Sequence, residues 1–249
     1  SPSPTASIDV AREWDRRRAS PPPPLAESVL REASHLAQQY LGDTAAPGNL
    51  LDLLQAIYRD RTAPADTAAS LDEVIACVGR MTRLPADILD ERQGLDLGAL
   101  STFFTSRVIG QPEAIDTLVE RVAMMKAGVT DPGRPLGVFL FAGPTGTGKT
   151  ELAKALAEYL FGSPERLVRI DMSELQTPES LARLLGEGQR DTTGNSLVDR
   201  IRRDPFSVVL LDEFEKSHPQ VWDLFLQVFD DGRLTDPRGT TADFRNTII

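Results

Sequence analysis

Apolar residues along this chain recur at two different spacings, and the change falls near residue 107. Leu25, Val29, Leu30, Ala33, Leu36, Ala37 and Tyr40 follow one another mostly at three and four positions, which lines up one face of a helix. After the Pro47-Gly48-Asn49 break, Leu50, Leu51, Leu53, Leu54 and Ile57 predict a second helix, and Leu71, Val74, Ile75 and Val78 a third. Ser70 stands where that third helix needs an N-cap, with Glu73 at the partner position of a capping box. Residues 25–100 therefore read as a small helical domain with no nucleophile beside a base. His35 reads as a helix-surface residue and Cys77 as a small buried hydrophobe. Ahead of this region, residues 1–24 close on four prolines and read as a Pro-rich linker or solvated arm, although the charged stretch 11–18 could form a helix.

Beyond residue 107 the apolar residues come in short unbroken runs. Val138-Phe139-Leu140-Phe141-Ala142, residues 167–172 and residues 207–211 each predict a strand buried on both faces, and residues 247–249 begin a fourth. Between the runs lie amphipathic stretches, with Leu152, Leu156, Tyr159 and Leu160 along one and Val221, Leu224, Phe225 and Val228 along another. Strands alternating with helices predict an α/β fold with a parallel sheet over residues 101–249.

Composition narrows the chemistry. The 249 residues carry 27 Lys and Arg against 37 Asp and Glu, a net charge of −10, which is the wrong sign for coating nucleic acid but leaves room for a local basic groove. The apolar run 136–142 is about a third of a bilayer span, and no apolar leader stands at the N-terminus, so the expected setting is cytoplasmic with no membrane partner. One cysteine excludes an internal disulfide and any multi-cysteine metal site. Two histidines, His35 and His218, exclude a His-rich metal site and count against a Ser-His-Asp hydrolase. Ser1 in place of Met, and an end inside an apolar run, predict a piece of something longer.

The most specific signal is Gly143-Pro144-Thr145-Gly146-Thr147-Gly148-Lys149-Thr150, which satisfies the phosphate-loop pattern and lies between a predicted strand and a predicted helix. A glycine-rich backbone can wrap its N–H groups around phosphates without side-chain clash, and the following helix aims its positive end at the same place. Lys149 is expected to reach the β- and γ-phosphates of ATP, and the Thr150 hydroxyl to hold Mg²⁺. The run 207–211 ends in Asp212-Glu213, the Walker B arrangement: Asp212 is expected to orient Mg²⁺ through its water shell and Glu213 to polarise the attacking water.

Five blocks together resemble the Clp-type (heat-shock 100) AAA+ ATPases: Arg107-Val108-Ile109-Gly110-Gln111, the phosphate loop, Arg169-Ile170-Asp171-Met172-Ser173-Glu174, residues 211–216 with His218-Pro219, and residues 230–236 running on to Asp243-Phe244-Arg245-Asn246. The resemblance covers nearly all of 107–249 and implies most of the second module's large domain, cut short at its C-terminal end. Residues 25–100 match more loosely the end of a first module, with Thr82-Arg83-Leu84-Pro85 like the linker between the two. It further implies that Val108 and Ile109 lie against the adenine ring, that the whole protein works as a homo-hexamer on a protein substrate, and that a neighbouring subunit contributes an arginine finger. Relatives carry an aromatic pore loop where this chain reads 186–196, yet no Phe, Tyr or Trp lies between Phe161 and Phe206. Asn49 stands where relatives place a lysine at a helix start of the first module. Arg233 and Arg238 fall in the segment that corresponds to a second pore-facing loop.

Smaller features have plainer readings. Arg200, Arg202 and Arg203 read as a solvated helix face, Trp222 with Phe225 and Phe229 as core, and His218 as helix-start punctuation. Three functions share these blocks: an ATP-driven protein remodeller; a nucleotide-dependent assembly or partner-binding switch that does not thread polypeptide, which the missing aromatic favours; and a nucleic-acid motor, which the charge disfavours. Taken alone, this stretch is expected to be nearly inactive as an ATPase, with any arginine finger lying beyond Ile249.

Overall fold

The computed structural model describes residues 3–17, 23–41, 45–61, 64, 67–90, 92, 94–129, 131, 133–186 and 196–249. The chain divides into two compact units, Ser1–Gln93 and Gly94–Ile249.

The first unit is helical: α1 Pro4–Arg17, α2 Glu27–Tyr40, α3 Gly48–Asp60, α4 Leu71–Thr82 and the short α5 Ala86–Leu89. The three- and four-residue spacing puts Leu30, Ala33, Leu36 and Ala37 of α2 into one core with Leu50, Leu53, Leu54 and Ile57 of α3 and Val74, Ile75, Cys77 and Val78 of α4. α4 begins at the expected capping box: Ser70 Oγ accepts from Glu73 N at 3.3 Å, and Glu73 Oε2 accepts from Ser70 N at 2.8 Å. Residues 4–17 correct the expectation of a solvated arm. They form a helix whose Ala11 is fully buried, and whose buried Asp15 accepts from Leu25 N at 2.9 Å and from Tyr58 Oη at 2.7 Å. A buried carboxylate is tolerable only when it is paired in this way, so these partners fix the helix in place.

The second unit starts earlier than the pattern suggests, because α6 Leu97–Arg107 packs on α7 Pro112–Lys126 and α8 Lys149–Phe161 through Leu100 and Phe104. There follow β1 Leu167–Asp171, α9 Pro178–Leu184, α10 Leu197–Arg203, β2 Val208–Asp212, α11 Pro219–Asp231 and a hairpin of β3 Arg233–Thr235 with β4 Thr241–Asp243. β1 and β2 are parallel, with Asp171 directly opposite Asp212. Ile248 bridges Val208 on one side and Gly137 on the other, both in parallel sense. The order across this layer is therefore residues 136–139, residues 247–249, β2 and β1.

The run 138–142 is extended but is not a laddered strand. Its pairing is confined to Leu136 N with Thr247 O at 2.9 Å, Ile249 N with Gly137 O at 2.9 Å, and Phe139 N with Ile249 O at 2.8 Å. A strand exists only where a partner backbone runs beside it, and among the described residues the backbone pairing of this run stops at Phe139. Val168, Ile170, Val209, Ile201, Val221, Phe225 and Phe244 are buried in one apolar cluster.

Candidate nucleotide site

The segment 136–142 leads into the loop 143–148, and β2 leads into Asp212 and Glu213, with residues 247–249 lying between the two. Both stretches run parallel, so the glycine loop and the acidic pair leave the same edge of the layer, the edge where open α/β sheets place their ligands. Gly146 and Gly148 turn with φ of 85° and 94°, conformations that side-chain-bearing residues adopt only at a cost. A β-carbon on Gly148 would stand 3.1 Å from Val108 Cγ1. Val108 thus packs directly on the loop backbone and is buried, whereas Ile109 is 88% exposed.

α8 begins at Lys149, and Thr150 lies in its first turn. Residues 143–146 are exposed, and Lys149 and Thr150 are half-buried. Lys149 Nζ donates to Gly143 O at 2.8 Å and to Pro144 O at 2.7 Å, and Thr147 Oγ1 donates to Pro144 O at 3.0 Å. The ammonium therefore lies inside the loop's own curve, at the head of a helix whose N–H groups face outward from its first turn.

Each acid at the end of β2 has a basic neighbour. Arg169 Nη2 donates to Asp212 Oδ2 at 2.6 Å, and Lys216 Nζ donates to Glu213 Oε2 at 2.8 Å. Glu213 sits in the left-handed region at φ 56°, ψ 43°, one of two such non-glycine residues among those described. Its carboxylate holds the Lys216 ammonium above the usual lysine range. Asp171 is held below the usual carboxylate range, first by the Ser173 hydroxyl at 2.5 Å, then by the Ser173 N–H and the positive field of Arg169 and Lys216.

The donor set suits Mg²⁺: a hydroxyl at Thr150 and a carboxylate at Asp212 are hard oxygen ligands, with none of the thiolate or imidazole that would select zinc. Among the described residues no group of three or more His, Cys, Asp or Glu forms a separate metal cluster. The pairing of Arg169 and Lys216 with the acids is set by strand register and a tight turn, which sequence spacing alone does not show.

His218 is the N-cap of α11, its Nδ1 accepting from Gln220 N at 3.3 Å. Trp222 departs from the core reading: it is 40% exposed, stacked on Phe214 with ring centroids 5.1 Å apart, and donates to Ser217 Oγ at 2.7 Å. Phe225 is fully buried, as expected. Arg200 also departs from the solvated-face reading, since burial pushes its guanidinium down and Arg203 adds repulsion, while Arg202 and Arg203 are exposed. Arg233 is exposed, and Arg238 is tied to Asp236 at 2.8 Å and to Asp199 at 3.4 Å. Asn49 is buried and links two helices by donating to Ala37 O at 3.0 Å. The expected pore segment falls largely on 187–195, outside the described residues.

Comparison with known proteins adds the family. A profile described as AAA domain (Cdc48 subfamily) matches residues 134–249. Over 196 residues, 77% of this chain, the sequence is 46% identical to chaperone protein ClpB of Enterococcus faecalis and spans 22% of that protein. It is 43% identical over 195 residues to the negative regulator of genetic competence ClpC/MecB of Bacillus subtilis, covering 77% of this chain and 24% of that one. A closed-state cryo-EM reconstruction of Hsp104 with ATPyS and FITC casein superposes with a TM-score of 0.82 at 31% identity, covering all of this chain and 44% of its own. The chain thus spans about a fifth of the curated relatives it matches.

Proposed function

The chain belongs to the Clp-type (heat-shock 100) AAA+ ATPases, and on that premise we propose that it is the ATP-binding and ATP-hydrolysing module of a protein-remodelling machine of the unfoldase, disaggregase or chaperone kind. The observation that carries this reading is the shared edge from which the Gly143–Thr150 loop and the Asp212-Glu213 pair emerge. The backbone N–H groups at the head of α8 and the Lys149 ammonium take the phosphates. Val108 and Ile109 take the base. Thr150 and Asp212 hold Mg²⁺, which when bound draws charge off the phosphate oxygens. Glu213 orients a water and accepts its proton as the terminal phosphate leaves. Phosphoryl transfer is mostly positioning and charge stabilisation, so these few groups supply most of what the reaction needs.

In the whole protein we place this module in a cytoplasmic homo-hexamer acting on protein substrates, without a membrane or nucleic-acid partner. Among the described residues no helix is long and apolar enough to cross a membrane. A second reading, a nucleotide switch that binds a folded partner without threading chain, is favoured by the absence of any aromatic between Phe161 and Phe206. Gly, Thr, Asn and Asp offer little apolar area with which to grip an unfolded segment.

One measurement separates the two: the ATPase rate of the complete protein with and without a permanently unfolded polypeptide, with Glu213→Gln as control. Acceleration by unfolded chain and a silent control support remodelling. Turnover that ignores unfolded chain supports the switch. Turnover that persists in the control moves the general base away from Glu213.

A further inference from the structure

Arg107 ends α6 and reaches across to α8. Its Nε and Nη2 donate to the two carboxylate oxygens of Glu158 at 3.1 and 2.6 Å, a fork-to-fork pairing between residues 51 apart in sequence. Its guanidinium carbon lies 3.6 Å from the centroid of the Phe103 ring, and that ring meets Phe104 and Tyr159 with centroids 5.4 and 5.3 Å away. The side chains of Arg107 and Glu158 are 30% and 38% exposed, so the pair is too well solvated to add much stability. What it supplies is geometry.

The helix it grips is the one that starts at Lys149. The residue that follows Arg107 is Val108, whose N–H closes α6 on Phe104 O at 2.9 Å and whose side chain packs on Gly148. Next comes Ile109, an isoleucine 88% exposed, before the chain turns at Gly110 with φ 79° and enters α7. An apolar side chain held in the open beside a phosphate loop is placed to meet a flat apolar ring attached to those phosphates.

We propose that Arg107, through its bidentate pair with Glu158, is a positioning residue that fixes Val108 and Ile109 over the phosphate loop and so sets affinity for the nucleotide base rather than for the phosphates. This rests on the nucleotide-binding reading above. The test is equilibrium binding of two probes, ATP and inorganic tripolyphosphate, to the complete protein. Arg107→Met and Glu158→Gln are each expected to weaken ATP binding about tenfold, the lower end of what a misfitted apolar contact costs a pocket, and to leave tripolyphosphate within about twofold. Arg107→Lys is expected to recover only part of the loss, because an ammonium cannot span both carboxylate oxygens. Retained tripolyphosphate binding reports that each variant is folded. Unchanged ATP affinity in Arg107→Met, or an equal loss of both probes in the near-isosteric Glu158→Gln, overturns the clamp. Lys149→Ala separates the two levels: it should lose both probes. If it does while Arg107→Met loses neither, only the clamp falls; if it binds both as well as the wild type, the nucleotide reading falls and the clamp with it.

Discussion

At the head of α8 the backbone of Gly148 turns at φ 94°, with Val108 Cγ1 only 3.1 Å from where a methyl group would stand. Gly148→Ala therefore imposes a left-handed alanine, which costs about 1–2 kcal/mol, and displaces Val108 as well. The expected result is a lower unfolding midpoint and weaker ATP binding; wild-type affinity would mean that Val108 yields freely. Lys149→Ala is expected to abolish ATP binding, because no other cation of the loop 143–150 can take its place. Glu213→Gln is expected to keep binding and lose turnover, since an amide orients water but does not accept its proton. A fluorescent-nucleotide titration and a phosphate-release assay check the two together. Normal phosphate release from Glu213→Gln would move the base elsewhere.

At the scale of the element, α4 shows how a helix start titrates. Burial pushes the Glu73 carboxyl up, but the Ser70 N–H and the Arg61 guanidinium together pull it further down, so it lies below the ordinary carboxylate range. A folded value below the unfolded one, about 4.3, means the contribution is complete above that pH and is lost as the pH falls through the folded value. Between pH 7 and pH 3 the wild type should lose stability more steeply than Glu73→Gln, read as denaturant midpoints; parallel curves would remove this coupling. Ser70→Ala should cost about 1 kcal/mol at neutral pH through the lost cap.

This capping box was legible in the sequence because both halves lie within one turn, and so was the turning glycine loop at residues 143–148, which is a local backbone shape. α1 was legible only in part, as the charged stretch 11–18, because Asp15 finds Leu25 and Tyr58 across 10 and 43 residues, while the prolines on either side dominate its local composition. The same reason hides Arg169 on Asp212, which is 43 residues away. The run 138–142 reads as a strand by its side chains, yet strand formation depends on a partner backbone that lies far along the chain.

For the molecule as a whole, two compact units predict two separable stabilities. Leu53 is fully buried in the first unit and Lys149 lies in the second. Leu53→Ala should cost about 2–5 kcal/mol of the first unit's stability while leaving tripolyphosphate affinity unchanged. Two unfolding transitions, of which only one moves, are the expected calorimetric trace. A single transition that moves as one would show that the units unfold together. Composition had already bounded this scale, since the charge of −10 and a lone cysteine steer away from nucleic-acid coats and disulfide scaffolds. It could not tell a remodelling engine from a switch, because both need the same loop and acids.

The backbone of Glu213, at φ 56°, gives the chain a reason to be less durable than it could be. Asparagine enters the left-handed region far more readily than glutamate, so Glu213→Asn should raise the melting temperature by relieving about 1 kcal/mol, whereas Glu213→Gln should not. Both variants would be inert. Selection for robustness alone would favour the asparagine; on the proposed reading of Glu213 as the general base, a glutamate at this position is durability given up for turnover.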